Sequence, residues 1–102
     1  METPPKLIEF DVTVSGGTGS KAFTSWLGYL RSVYIRAVSS VAVYDWETTD
    51  SDGDGKCGET GVTGNILRLF ETPMNGNHTF TIANATVNGT YHVKLWIEFR
   101  LR

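Results

Sequence analysis

The stretch whose residues are most capable of binding a metal ion is an acidic loop near the middle of the chain. Asp50, Asp52 and Asp54 place carboxylates at alternate positions, and Gly55 follows them. An EF-hand calcium loop presents its first, third and fifth ligands and its glycine bend in this order. The match ends at the twelfth position, where Gly61 replaces the bidentate glutamate that closes such a site. We therefore predict a solvated hairpin loop, with a calcium site at the three aspartates as the alternative and no other cofactor.

The sequence gives little support for a catalytic combination of residues. Cys57 is the only cysteine, which excludes an internal disulfide and a cysteine-based zinc cluster. A cysteine nucleophile needs a base beside it, but His78 adjoins a predicted turn and His92 lies on the polar side of a predicted strand. Four carboxylates lie on predicted strands and could line a cleft, although such residues usually form the solvated side of a sheet: Glu9, Asp11, Asp45 and Glu47. We expect no enzyme activity and no catalytic residues.

A partner-binding surface is predicted around Trp96. This residue shares the polar side of the last strand with Lys94 and Arg100. Trp and Arg are enriched at binding hot spots, so one interpretation is contact with a partner, and the other is burial under a loop or a second sheet. Trp46 poses the same question, and either tryptophan could stack on a sugar ring. The other predicted contact residues form an N-terminal tail, whose prolines disfavour a helix or a central strand: Met1, Glu2, Thr3, Pro4 and Pro5.

The elements that must position these residues are predicted to be strands. Apolar and polar residues alternate over residues 8–14 and again over residues 91–101, which is the two-residue period of a half-buried strand. Shorter strands are predicted at residues 65–71 and 78–82, with a turn at residues 74–77 between them. Asn88-Gly89 favours a tight hairpin before the last strand.

The region between residues 21 and 48 carries conflicting signals. Phe23, Trp26, Leu27 and Leu30 recur at helical spacing, whereas Gly28 and several β-branched residues favour strands. We predict strands at residues 29–38 and 41–48, and a helical turn at residues 21–27 remains the alternative.

Size and composition limit the class of protein. A chain of 102 residues predicts one domain, which we divide into a tail at residues 1–5 and a domain at residues 6–102. Eleven glycines against three prolines favour short strands and tight turns, so the predicted fold is all-β. A small antiparallel β-sandwich of about six to eight strands is expected, with a barrel as the alternative. A net charge of −2 and the lack of a long apolar run predict neither nucleic-acid nor membrane partners.

Four stretches resemble small β-sandwich structural proteins of tailed bacteriophages, a group that includes head decoration (cement) proteins. The stretches are GYLRSVYI at 28–35, YDWETTDSDG at 44–53, GNHTFTIANA at 76–85 and GTYHVKL at 89–95. The resemblance covers about residues 28–100, and its motifs are signatures of turns and strands. This chain departs from the pattern in a glycine-rich insert at residues 54–64.

The resemblance implies a structural component of the virion, assembled in the host cytoplasm. The expected role is that of a capsid decoration protein, which stabilises the head by bridging capsid subunits. Its expected partners are the major capsid protein or other virion proteins, together with further copies of itself on the particle. A neck or tail component is one alternative, and a carbohydrate-binding β-sandwich module with a calcium-shaped loop is the other.

Overall fold

The computed structural model describes residues 6–99, whose regular secondary structure consists of β-strands. Six strands follow one another: β1 Lys6–Val14, β2 Gly19–Arg36, β3 Val43–Asp50, β4 Gly55–Thr63, β5 Ile66–Ala83 and β6 Gly89–Phe99. They form one antiparallel sheet in the order β1-β6-β2-β5-β3-β4. The predicted all-β class is confirmed. Within the described range, no helix has the length and apolar character that a membrane crossing requires.

The sheet makes two layers because its central pair bends. β2 and β5 have 18 residues each and pair along most of their length. Their register shifts between Ser25 and Gly28 and again between Leu30 and Ser32, and such irregularities bend strands. One half of the pair continues into β6 and β1, and the other half continues into β3 and β4. The described strands β1 and β4 are open edges, so the fold is a sandwich and the barrel alternative is wrong.

Side chains between the two layers form the core. Phe10 of β1 stacks on Phe23 of β2 with ring centroids 5.5 Å apart, and Tyr44 of β3 meets Tyr91 of β6 edge-on at 5.2 Å. Between residues 91 and 97 of β6, every second residue is fully buried, as the alternation predicted: Tyr91, Val93, Leu95 and Ile97. The intervening side chains of β6 therefore point to the outside of the sandwich.

The alternative helical turn at residues 21–27 is wrong, because β2 begins at Gly19 and continues through this region. The buried positions of β2 are residues 23, 25, 28, 30, 33 and 35. Each register shift lengthens one step between buried positions of β2 from two residues to three, at residues 25–28 and 30–33. This spacing imitates that of a helix.

The predicted turn at residues 74–77 is also wrong, because the strands predicted on either side of it form one strand, β5. Gly76 takes a φ of 81° within it, so a glycine that favours a turn serves here inside a strand. The predicted hairpin at Asn88-Gly89 is wrong as well. β5 and β6 do not pair, and residues 84–88 cross from one layer to the other.

The predicted hairpin loop at the aspartates is confirmed, but it is shorter than expected. Residues 51–54 connect β3 to β4, and β4 occupies most of the region interpreted as a glycine-rich insert. Glycine is depleted in strands, which is why this one was missed. Gly58 has a structural reason, since a Cβ there would lie 2.5 Å from the backbone oxygen of Trp46.

Candidate functional site

The outer side of the β1-β6-β2-β5 layer brings Trp96 and Lys94 beside residues that are far away in the sequence. In one cross-strand row, Trp96 lies between Leu7 and Ser32, and Ser32 pairs with Leu69. In the next row, Lys94 lies between Glu9 and Tyr34, and Tyr34 pairs with Leu67. We call the surface formed by six of these residues the Trp96 face: Leu7, Tyr34, Leu67, Leu69, Lys94 and Trp96.

The Trp96 face is unusually apolar for the outside of a small domain. Leu69 is 81% exposed, Leu67 is 59% exposed and Leu7 is 43% exposed. Trp96 and Tyr34 are half-buried between them. The interpretation that Trp96 is buried under a second sheet is therefore wrong, because the second layer packs on the opposite side of β6. Contiguous exposed apolar side chains with a polar rim are typical of interaction sites.

Charged residues surround the apolar centre. Arg31 Nη1 lies 3.8 Å from both Glu71 Oε1 and Glu98 Oε1, and Lys94 Nζ lies 4.0 Å from Glu9 Oε2. These distances are long, and exposed ion pairs of this kind contribute at most about 1 kcal/mol. The rim can therefore exchange its ion pairs for contacts with a partner at little cost.

His92 links β6 to β1 at the end of this surface. Its Nδ1 lies 2.6 Å from Asp11 Oδ1, and its Nε2 lies 2.6 Å from Glu9 Oε2. Both carboxylates can only accept, so the protonated ring satisfies both contacts. The hydrogen bonds to Asp11 and then to Glu9 raise the pKa of His92 above its ordinary value. Glu9 and Asp11 therefore bind a histidine on an open face and do not line a cleft.

The acidic loop is organised by its own first residue. Asp50 Oδ1 accepts hydrogen bonds from the backbone N–H groups of Asp52 and Asp54, both at 3.0 Å. Lys56 Nζ lies 3.7 Å from the other oxygen of Asp50. These contacts, above all the Asp54 N–H, hold the pKa of Asp50 below its ordinary value. The loop thus has the hydrogen bonds of a capped hairpin turn.

The same loop also has the donor set that a hard cation requires. Asp50, Asp52 and Asp54 each have a carboxylate oxygen within 4.8 Å of the others. Calcium binds six to eight oxygen ligands, so these side chains supply part of a coordination shell, and carbonyl groups or water would have to complete it. The residues fit a cation site in chemical type. The ammonium group of Lys56 disfavours cation binding, because it partly neutralises the negative charge of Asp50.

The predicted cleft carboxylates Asp45 and Glu47 do border an open groove beside β4. The groove has a volume of about 680 Å³ and is also lined by Lys56, Gly58 and Thr81. Asp45 has a structural role, because its carboxylate accepts hydrogen bonds from Asn84 Nδ2 and the Gly61 N–H, both at 2.8 Å. These two contacts, Asn84 first, lower its pKa. Asp45 is therefore held as an ionised acceptor and is poorly suited to act as a general acid.

Cys57 and the two histidines are separately engaged. The Cys57 thiol pairs with Thr48 Oγ1 at 3.3 Å, and burial raises its pKa, which disfavours the reactive thiolate. His78 is buried, and its Nε2 accepts the Asn75 N–H at 3.3 Å. His92 is held by the carboxylates described above. These contacts give Cys57 no histidine base.

Trp46 is a core residue, so the interpretation that it is exposed to stack on a sugar is wrong. It is 2% exposed, and its ring stacks on Phe80 at 5.5 Å with an interplanar angle of 10°. Its Nε1 donates to Glu59 Oε1 at 3.2 Å. Because its indole N–H has a partner inside the sandwich, Trp46 can be buried at low cost.

The other predicted contact residues lie outside the described range: Met1, Glu2, Thr3, Pro4, Pro5 and Arg100. Sequence reasoning missed Leu67, Leu69, Tyr34 and Leu7. Ile66-Leu-Arg-Leu-Phe70 is a nearly continuous apolar run, and the two-residue period alone does not reveal which of its faces is covered. The sequence feature that could have revealed this surface is the pair Leu67 and Leu69, taken together with the prediction that Trp96 is exposed.

No protein-family model matches the sequence, and no curated protein matches it. Several solved structures are similar in fold, among them the following two. PliG of Aeromonas hydrophila, a periplasmic inhibitor of g-type lysozyme, is 11% identical, with a TM-score of 0.49 over 92% of this chain and 86% of that one. The carbohydrate-binding module CBM36, in complex with calcium and xylotriose, is 8% identical, with a TM-score of 0.38 over 96% of this chain and 88% of that one. Similarity at this level does not bear on function.

Proposed function

We propose that this chain is a non-enzymatic structural protein of a tailed-phage virion and that it docks on the particle through the Trp96 face. Within that class we propose a capsid decoration protein that bridges capsid subunits. The observation that carries the docking role is the exposed apolar surface of Leu67, Leu69 and Leu7 around Trp96.

The composition of the face supports binding to a protein. Interface cores are enriched in aromatic residues and Arg, and their rims are polar. Here Trp96 and Tyr34 lie at the centre, while Arg31, Glu71 and Glu98 lie at the rim. A rigid β-sandwich that presents such a face on many lattice positions would accumulate modest individual contacts into a stable shell.

The virion assignment is supported by the residue pattern that resembles phage structural proteins, at residues 28–35, 44–53, 76–85 and 89–95. It implies the major capsid protein or another virion protein as the partner, and the assembled particle as the location. A neck or tail position remains the alternative within the same class.

Quantitative mass spectrometry of purified particles from the phage that encodes this sequence tests the assignment. Hundreds of copies per particle are expected for a decoration protein, whereas a ring-shaped connector would contain about six to twelve. Absence of the chain from purified particles would refute the virion role.

Docking through the Trp96 face is tested by adding purified variants to particles that lack the protein. We expect Trp96→Ala to weaken occupancy about 30-fold, as for a hot-spot residue of about 2 kcal/mol. Leu67→Lys should weaken it as well, and Leu27→Lys is the matched control because Leu27 is 58% exposed but is not part of the two cross-strand rows of this face. Equal occupancy by all three folded variants would contradict docking here. Deletion of residues 1–5 tests the tail separately.

A second candidate function is a carbohydrate-binding module whose acidic loop binds calcium. The convergence of the Asp50, Asp52 and Asp54 carboxylates favours it, and Trp96 remains as a sugar-stacking surface. Calcium should then raise the melting temperature of the wild type but not that of Asp52→Ala. A glycan array with and without a chelator tests the sugar, and lack of binding in both conditions would exclude it.

A further inference from the structure

The first half of β5 is an open sheet edge. Along residues 66–77 the described strands give β5 no neighbour on the side away from β2, because β3 pairs only with residues 78–83. No described strand pairs with the backbone groups on that side, although the Leu67 oxygen accepts a hydrogen bond from Arg68 Nη1 at 3.3 Å. An extended edge of this kind is a template for pairing with a second chain.

This edge differs from the edges formed by β1 and β4. β1 carries Glu9 and Asp11 on its outer side, and β4 carries Lys56 together with three glycines. Charges, glycines and irregular strands discourage edge-to-edge pairing. Residues 66–72, which we call the edge segment, instead read Ile-Leu-Arg-Leu-Phe-Glu-Thr, and Leu69 is the most exposed large apolar residue in the described chain.

The charges of the edge segment are already balanced within the chain. Arg68 Nε lies 3.0 Å from Glu59, and Glu71 lies 3.8 Å from Arg31. The segment therefore approaches an identical copy without net repulsion, which makes a second copy of this chain a suitable occupant.

We propose that two copies of this chain pair their edge segments antiparallel, about a twofold axis through Leu69. Leu69 then lies opposite Leu69 of the second copy, Leu67 lies opposite Glu71, and Arg68 lies opposite Phe70. This register places no like charges opposite each other and brings the exposed leucines of both copies together. The contact is closed, because the same segment is used on both sides.

Neighbouring registers are less favourable. An axis through Arg68 would place two arginines directly opposite each other, which destabilises a strand pair. An axis through Phe70 would place Leu67 opposite Pro73, which has no N–H to donate to the ladder. Only the register at Leu69 uses residues 66–72 in full without either defect.

Pairing at this edge would join two Trp96 faces into one continuous surface, because both sheets would then share the same outer side. The inference goes beyond the proposed function, since the dimer would form in the isolated protein with no particle present. Failure of the dimer would leave the particle experiments above as an independent test of the docking role.

Sedimentation equilibrium of the purified chain from micromolar to millimolar concentration tests the association. We expect a monomer–dimer equilibrium in the wild type, and we expect Leu69→Lys to raise the dimer Kd by at least about tenfold, since lysine at an edge opposes pairing. Leu27→Lys is the control and should match the wild type. The proposal would be overturned if the wild type stayed monomeric or formed assemblies larger than dimers. It would also be overturned if Leu69→Lys dimerised with the same Kd as the wild type.

The register is tested by cross-linking in a Cys57→Ser background. Residues directly opposite in an antiparallel pair have Cα atoms about 4.5 or 5.5 Å apart, within the roughly 4.4–6.8 Å range of a disulfide. Leu69→Cys should therefore give a disulfide-linked dimer under mild oxidation, whereas Leu67→Cys should cross-link far less. Equal yields from the two variants would refute the axis at Leu69. Unlike Leu69→Lys, neither cysteine variant adds a charge to the edge segment.

Discussion

Removal of one hydroxyl group, in Tyr44→Phe, should measurably destabilise the sandwich. Tyr44 is fully buried, and its hydroxyl donates to the backbone oxygen of Gly64 at 2.7 Å. Burial raises the pKa of Tyr44, so the phenol remains a donor throughout the accessible pH range. Gly64 forms the corner between β4 and β5, where its N–H also donates to Ala42 at 2.8 Å.

The size of the effect follows from the carbonyl group that is left behind. Phenylalanine fills nearly the same space, so no cavity forms, but the Gly64 oxygen loses its partner in a buried corner. An unsatisfied buried acceptor costs about 1–3 kcal/mol. For a domain of this size, each kcal/mol lowers the melting temperature by about 4–8 °C.

Urea denaturation of wild type, Tyr44→Phe and Tyr91→Phe provides the measurement. Tyr91 is the matched control, because it is also fully buried and its hydroxyl donates at the same 2.7 Å distance. Its acceptor belongs to Val87, which is only partly buried, so water can reach the carbonyl group that is left behind. We expect Tyr44→Phe to cost at least twice as much, at an unchanged denaturant slope. Equal losses, or a loss for Tyr44→Phe below about 0.5 kcal/mol, would refute the reasoning.

The two histidines should make the free energy of unfolding depend on pH in opposite directions. Burial lowers the pKa of His78 below its unfolded value near 6.5, so its contribution is intact above pH 6.5 and is lost as the pH falls towards the folded pKa; His78→Gln should flatten that acid loss in urea titrations. The pKa of His92 is raised, so its contribution is complete below pH 6.5 and is lost as the pH rises through the folded pKa; His92→Gln should remove the alkaline loss. Gly58→Ala should cost about 1–3 kcal/mol in the same assay, because its Cβ would meet backbone atoms of β3. Gly55→Ala, whose Cβ would meet only the movable end of a side chain, should be nearly neutral, and equal losses would contradict this account.

The first and last strands of the sequence were predictable because their alternation is uninterrupted. β6 buries Tyr91 through Ile97 on one side, and nothing in that stretch changes the period. β2 was harder, because two register shifts move its buried residues off the two-residue period. A bulge depends on how two distant strands pair, so the local sequence of β2 alone does not contain it.

The candidate site was predictable only in part. Trp96 and Lys94 were recognised from the polar side of β6, but Leu67 and Leu69 join them through β2, which lies between β6 and β5. Trp46 illustrates the converse, since its burial depends on Phe80 and Glu59 of other strands. Which side of an apolar strand is covered is decided by strand order, and strand order was not available from the residues.

The strand order also determines when this chain can fold. Among the described strands, only β3 and β4 are both consecutive in sequence and paired, and they are joined by the Asp50 loop. The first strand pairs with the last, Lys6 opposite Ile97, and β2 pairs with β5 from Gly19 opposite Ile82. Such non-local pairing slows folding, because the chain must close long loops before contacts stabilise it. On the ribosome, the β3–β4 hairpin can form early, whereas β1 and β2 must wait for β5 and β6 to emerge.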